Sequence, residues 1–283
     1  MMTTGIVYIY WGNSRFYDCV LTSIRYLRRV SALPITVIAD KEAVEWTKKQ
    51  DIKEDINYII FDSSQYPDLR PPLYRKREQD IASGYVHKWT DKNTGIVIDG
   101  YYKNYKPKLY AFDLLPYDQN ILVDSDTYFY KSFEGLLTDT YDIGYCKETN
   151  FRQRGHTQMN GRKGREWDWR PYYLGINSGF LVIRRNNVWN DIYTHAKEIY
   201  ERYEDGTVEM VPEIGKFPLM SDQWAFNHAI ACSTDVECKV FSSKWNVRVP
   251  NLSKVDEIYM YHGNPCNLKS IEAKGINYTD HKN

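Results

Sequence analysis

Short apolar runs and helically spaced apolar positions alternate along the chain. Gly5 to Tyr10 reads as a buried strand. Asn13 or Ser14 can cap the next helix, whose apolar positions Phe16, Cys19, Val20, Ile24 and Leu27 line one face. Pro34 opens a second strand, Ile35 to Ala39, followed by a short helix near Glu42 to Lys49. A third strand runs from Asn57 to Phe61. This alternation predicts an α/β fold: a mainly parallel, twisted sheet with helices on both faces. Such sheets bind ligands beyond the carboxyl ends of their strands.

Pro67, Pro71 and Pro72 then mark an irregular segment carrying Arg70, Arg75, Lys76 and Arg77. The tyrosine-rich stretch from Gly84 to Lys106 predicts a hairpin or loop excursion. A helix from about Pro107 to Leu115 leads into the strand Asn120 to Val123. A helix-like stretch, Lys131 to Leu137, and a strand, Asp142 to Cys146, follow. Lys147 to Pro171 is long, polar and basic; inside a compact domain such a loop is a functional lid or a disordered segment. Phe180 to Ile183 is a strand and Asn187 to Tyr203 an amphipathic helix. Ser221 can cap a helix through Ile230, and Lys239 to Phe241 and Ile258 to Tyr261 are late strands. No linker composition interrupts the chain, so one domain over 1–283 is expected.

Composition narrows the function. The 283 residues carry 37 Lys+Arg and 37 Asp+Glu, a net charge of zero. That argues against a nucleic-acid-binding specialist, which needs a basic excess. No basic leader precedes the first strand, and no apolar run reaches the roughly 18 residues of a membrane span. A cytoplasmic protein without a membrane span is expected, soluble and of bacterial or viral origin. The five cysteines are scattered, which points to free thiols rather than a disulfide framework. His228 and Cys232 share a helix face, but no second ligand pair with zinc spacing accompanies them. Tyrosine is abundant, at 25 residues; its apolar face and polar tip suit a domain with wide polar clefts, but alone they name no ligand.

The sharpest chemical signal is Ile121-Leu122-Val123-Asp124-Ser125-Asp126-Thr127. An apolar strand delivers two carboxylates to its carboxyl end. Held close, they repel unless a cation neutralises them. Oxygen ligands favour manganese or magnesium, and magnesium often binds together with substrate phosphates. A strand end capped by polar turn residues would read the same way. Three further features stand beside it: Ile176-Asn177-Ser178-Gly179-Phe180 opening a strand, Ser221-Asp222-Gln223 opening a helix with Asn227 behind it, and Tyr259-Met260-Tyr261-His262-Gly263.

Together, in this order, these motifs resemble the GT-A nucleotide-sugar glycosyltransferases over roughly Gly5 to Lys269. The likeness is strongest to the retaining branch that includes glycogenin and bacterial galactosyl- and glucosyltransferases. The resemblance implies a Rossmann-like nucleotide-sugar-binding half of about 1–126 and an acceptor-side half of about 127–283. It implies that Asp124, Asp126 and His262 hold manganese or magnesium against the donor diphosphate, with Ser125 between the carboxylates. Lys108 matches the family's lysine on the preceding helix. Asn177, Ser178 and Gly179, then Asp222 and Gln223, match the elements facing the donor sugar. Tyr10, Trp11, Asn13 and Tyr17 occupy the nucleoside stretch. Gly263 and Lys269 fall in the ending that contacts phosphate, although this chain reads His262-Gly263-Asn264-Pro265 and lacks the family's Pro-Trp.

The implied function is sugar transfer from a UDP- or GDP-sugar to a glycan or glycoprotein acceptor, with Asp222 and Gln223 as the catalytic pair. The basic loop would cover the diphosphate, and Trp167, Trp169 and nearby Tyr172 would stack on sugar faces or pack in the core. Two rivals use some of the same residues. A haloacid-dehalogenase-type phosphatase also ends a strand in Asp-x-Asp, but the motif normally closes the first core strand, and no later Gly-Asp-x-x-x-Asp appears. A non-catalytic carbohydrate-binding protein explains the aromatics but not the carboxylate pair with Asn-Ser-Gly and Asp-Gln.

Overall fold

A computed structural model describes residues 2–10, 14–50, 55–62, 65, 75–76, 87–90, 97–100, 106–147, 176–204, 222–248 and 257–273. Trp11, Asn13, the Pro67–Pro72 segment, the basic loop after Lys147 with Trp167, Trp169 and Tyr172, and Ser221 lie outside these residues. So do the side chains of Phe16 and His228.

In chain order the elements begin with β1 (Thr4–Tyr10), α1 (Ser14–Leu27), β2 (Ile35–Ala39), α2 (Lys41–Lys49) and β3 (Ile56–Ile60). A small antiparallel sheet follows: β4 (Arg75–Lys76), β5 (His87–Thr90) and β6 (Val97–Gly100), the last two forming the expected hairpin. Then come α3 (Lys106–Ala111), β7 (Gln119–Val123), β8 (Thr127–Phe129), β9 (Ile143–Lys147), β10 (Ile176–Arg184), α4 (Asn187–Glu204) and α5 (Asp222–Cys232). The chain continues with β11 (Cys238–Phe241), β12 (Met260–His262) and α6 (Leu268–Glu272).

The central sheet has seven strands in the order β11-β9-β10-β7-β1-β2-β3. β1 pairs in parallel with β2 and β7, β2 with β3, and β9 with β11. Only β10 runs against its neighbours, β7 and β9. Strand alternation assigns each residue to a face. Val7, Ile9, Leu122, Leu181 and Ile183 pack under α3, α4 and α5, with Trp189, Tyr193 and Phe226. Ile6, Tyr8, Ile121, Val123, Phe180 and Val182 pack under α1 and α2, with Val20, Ile24, Leu27 and Val44. Both faces are covered, which is why these strands read as continuous apolar runs.

Two expected elements differ. The stretch from Lys131 to Leu137 holds only a 3-10 turn, Glu134–Leu136. Phe133 just before it is fully buried, with its ring 5.2 Å from Phe129 and 5.9 Å from Phe180, and that packing holds the preceding chain out of a helix. The helix expected through Leu115 stops at Ala111 and tightens into a 3-10 turn over Phe112–Leu114. The tyrosines also resolve in favour of the core among the described residues. Tyr8, Tyr26, Tyr128, Tyr130 and Tyr261 are buried, with Tyr26 edge-on to Tyr128 and Tyr130 and Tyr128 stacked on Tyr261. The five cysteines are free.

One buried polar chain positions the site. Tyr8 Oη donates to Ser23 Oγ at 2.8 Å, and Ser23 Oγ donates to the Thr127 carbonyl at 2.5 Å. It ties β1, α1 and β8 together where an unpaired hydroxyl would cost about 1–3 kcal/mol.

Candidate active site

β7 ends at Val123, and a tight turn follows. Thr127 closes it by donating to the Asp124 carbonyl from both its backbone N–H, at 3.2 Å, and its hydroxyl, at 2.7 Å. The Asp124 N–H donates to the Gly179 carbonyl at 3.0 Å. β8 then pairs antiparallel with β12, placing His262 opposite Thr127. The Gly263 N–H donates to the Asp126 carbonyl at 2.8 Å. Gly263 has φ +150°, and a Cβ there would come 2.8 Å from the Tyr261 hydroxyl, so a glycine is required for both reasons.

This register brings three ligand-type side chains together. One ligand atom from each of Asp124, Asp126 and His262 lies within 4.8 Å of the others. His262 Nε2 is 3.3 Å from Asp126 Oδ1 and 3.6 Å from Asp124 Oδ2. Asn246 Oδ1 lies 3.0 Å from His262 Nδ1 and can only accept there, so the neutral ring carries its proton on Nδ1. In that tautomer Nε2, on the side of the carboxylates, is the nitrogen left to bind a cation. Metal-binding histidines show the same pattern, the second ring nitrogen donating to an acceptor that fixes tautomer and orientation. His262 is 4% exposed and the Asp126 side chain 38%, so the group opens to solvent on the Asp126 side. Two carboxylate oxygens and one imidazole nitrogen fit a divalent cation that accepts mixed oxygen and nitrogen ligands.

Behind the carboxylates, α3 points Lys108 into the same place. Its Nζ is 2.7 Å from Asp124 Oδ1 and 3.0 Å from Asp222 Oδ2. The contact with Asp222 is an ion pair off the hydrogen-bonding axis; Oδ2 has no hydrogen-bond donor among the described residues. Burial alone would lower the Lys108 pKa, but the two carboxylates outweigh it and hold the ammonium well above the usual lysine range. Below the ordinary lysine pKa this contribution to stability is fully present, and it is lost only as pH rises through the raised value.

α5 docks onto the start of β10. Asn227 Oδ1 accepts from the Ile176 N–H at 3.0 Å, and its Nδ2 donates to the Ile176 carbonyl at 3.2 Å. Gln223 Oε1 accepts from the Ser178 N–H at 3.3 Å. Asn177 Oδ1 accepts from the Gly179 N–H at 2.9 Å, closing a bulge in the β9–β10 ladder. Asp222, 1% exposed, thus sits beside Asn177, Ser178 and Gly179 through the Gln223 link.

Gly179 is required by packing. A Cβ there would lie 2.2 Å from His262 Cε1 and 2.7 Å from Nδ1, and the ring is anchored by Asn246. Gly179→Ala is expected to cost about 1–3 kcal/mol in urea unfolding and to displace His262 from the carboxylates. An alanine variant as stable as the parent would show that the ring gives way freely.

The remaining expected residues divide. Tyr10 and Tyr17 lie at the carboxyl end of β1 and in the first turns of α1. They are buried: Tyr17 packs between Tyr10 and Trp46, and the Tyr10 hydroxyl bonds Thr47 Oγ1. Burial pushes the Tyr10 pKa up. Ser125 is buried between the two carboxylates in sequence, and Lys269 is exposed on α6. Asn246 and Arg248 were not legible in the sequence. Nothing in Trp245-Asn246-Val247-Arg248 marks them; the bridge between Val247 and Tyr261 does. No helix among the described residues is long and apolar enough to cross a membrane.

No protein-family model matches the sequence, and no curated protein matches it. Solved structures do. Mouse xyloside xylosyltransferase 1 superposes with a TM-score of 0.56 at 12% identity, over 93% of this chain and 98% of its own. The galactosyltransferase LgtC, solved with donor and acceptor sugar analogues, superposes with a TM-score of 0.55 at 16% identity, over 96% of this chain and 94% of its own. The glycosyltransferase GlyE of Streptococcus pneumoniae superposes with a TM-score of 0.52 at 12% identity, over 99% of this chain and 67% of its own. The seven-stranded sheet, its covered faces and these superpositions agree: the chain has the GT-A fold.

Proposed function

We propose that this protein is a divalent-metal-dependent glycosyltransferase. It moves a sugar from a UDP- or GDP-sugar to a hydroxyl of a glycan or glycoprotein, with retention at the anomeric carbon. One observation carries the reading: His262 Nε2 faces Asp124 and Asp126 beside the buried Lys108–Asp222 pair, at the end of a GT-A sheet strand. Manganese or magnesium held by Asp124, Asp126 and His262 would offset the charge that develops on a departing diphosphate.

The chain's own residues supply the rest. Lys108 pairs with Asp222, whose carboxylate would offset an oxocarbenium-like centre on the donor sugar. Gln223 accepts from Ser178 through Oε1, which leaves its amide donors for sugar hydroxyls. Asn177 and Gly179 hold the β10 bulge open at that point. The nucleoside would be bound by Tyr10, Trp11, Asn13 and Tyr17, and the phosphates by Ser125, Gly263 and Lys269. Each carboxylate of the group already has a cationic or imidazole neighbour. Front-face attack assisted by the leaving phosphate needs no separate base, which favours retention. The cytoplasm, where nucleotide sugars are made, is the compartment that suits this chemistry.

The test is a donor panel. With manganese, one nucleoside diphosphate or its sugar should raise the melting temperature; saturation at 100 times Kd corresponds to about 2.7 kcal/mol. Release of nucleotide should require the metal. A complete panel without any shift, or phosphate-ester hydrolysis lost in Asp124→Asn, would replace this reading.

A further inference from the structure

Arg248 belongs to this site although no motif points to it. The parallel bridge between Val247 and Tyr261 runs its segment beside β12. Its Nη2 lies 3.2 Å from His262 Nε2 and 3.3 Å from Nδ1. A guanidinium has donors only. Nη2 is nearly equidistant from the two ring nitrogens, so the guanidinium lies against the ring face and not on either in-plane lone pair. It is thereby held beside the Nε2 that faces Asp124 and Asp126. A divalent cation at Nε2 and the Arg248 guanidinium would be close neighbours, and their charges repel. Arg248 Nε is buried with no hydrogen-bond partner among the described residues, so the fork keeps a donor for a further acceptor.

We propose that Arg248 couples metal binding to diphosphate binding, an inference that rests on the metal–diphosphate reading given above. In the absence of an anion, the guanidinium stays beside Nε2 and opposes the cation. A diphosphate offers Arg248 better acceptors, because guanidinium and phosphate oxygens match as a two-pronged donor–acceptor set. Arg248 then turns to the anion, and the two positive groups share it instead of repelling. The coupling is reciprocal: the anion tightens the metal by the factor by which the metal tightens the anion. Metal alone should bind weakly, and the site should fill as a pair.

The experiment uses the full chain, with Mn2+ binding followed by quenching of tryptophan fluorescence. Titrations are run with and without inorganic pyrophosphate, corrected for the manganese–pyrophosphate complex formed in solution. Arg248→Gln should bind Mn2+ alone more tightly than the parent. The enhancement by pyrophosphate, expected at roughly 5–150-fold in the parent, should shrink towards none. Arg248→Lys keeps the charge without the fork and should retain part of the coupling. Melting curves without ligand establish that each variant is folded; should the glutamine variant unfold, the lysine variant carries the comparison alone. Unchanged Mn2+ affinity and unchanged enhancement in the folded variants overturn the coupling role and leave the metal site standing. Failure of the parent to bind Mn2+, with or without pyrophosphate, overturns the metal reading and the coupling together.

Discussion

Asp126→Ala should abolish metal-dependent donor turnover, a fall of about 10²–10³-fold or more, while the chain stays folded. The side chain is 38% exposed, and the turn around it is held by main-chain bonds. Gly263 N–H donates to the Asp126 carbonyl, not to its carboxylate, so alanine preserves that contact. What disappears is one of two carboxylates facing His262 Nε2. The remaining Asp124 is already paired with Lys108 and makes a weaker second ligand alone. Nucleotide release titrated with manganese, alongside circular dichroism, decides the matter. Full activity with unchanged manganese dependence would remove Asp126 from the metal site.

Lys108→Met should be the most destabilising single change at the site, by about 3–5 kcal/mol. The ammonium joins Asp124 and Asp222 at 2.7 and 3.0 Å, and the Asp222 side chain is 1% exposed. Methionine fills much of the volume but leaves a buried carboxylate without its counter-charge. The cost comes from that stranded charge more than from the lost attraction. Lys108→Met combined with Asp222→Asn should therefore recover a large part of the stability, although it carries two changes. Non-additivity of this kind marks residues that share one network. Urea unfolding of the two single variants and the double variant measures it. Additive losses would show that Lys108 and Asp222 act independently.

Much of the site was legible because its motifs are local. Asp124 and Asp126 follow an apolar strand, Asn177 to Gly179 open another, and Asp222 and Gln223 start a helix. Such signals depend on a few adjacent residues and on strand or helix period. Tyr10 and Tyr17 show the limit: no local pattern shows that Tyr17 packs on Trp46 or that the Tyr10 hydroxyl bonds Thr47. Asn246 and Arg248 lie in a segment with no periodic pattern, and only its pairing beside β12 gives them a role.

The sequence by itself determined which residues alternate between the two sheet faces and which carboxylates stand at the end of β7, since both follow from backbone period and chain neighbours. The resemblance grouped Asp124, Asp126 and His262; tertiary structure alone decided how closely His262 approaches Asp126, that Lys108 reaches Asp222, and that Arg248 lies against the His262 ring. Each of these contacts joins side chains many residues apart. Their distances depend on strand order, on the β8–β12 register and on the close approach that Gly179 permits, none of which a local pattern encodes.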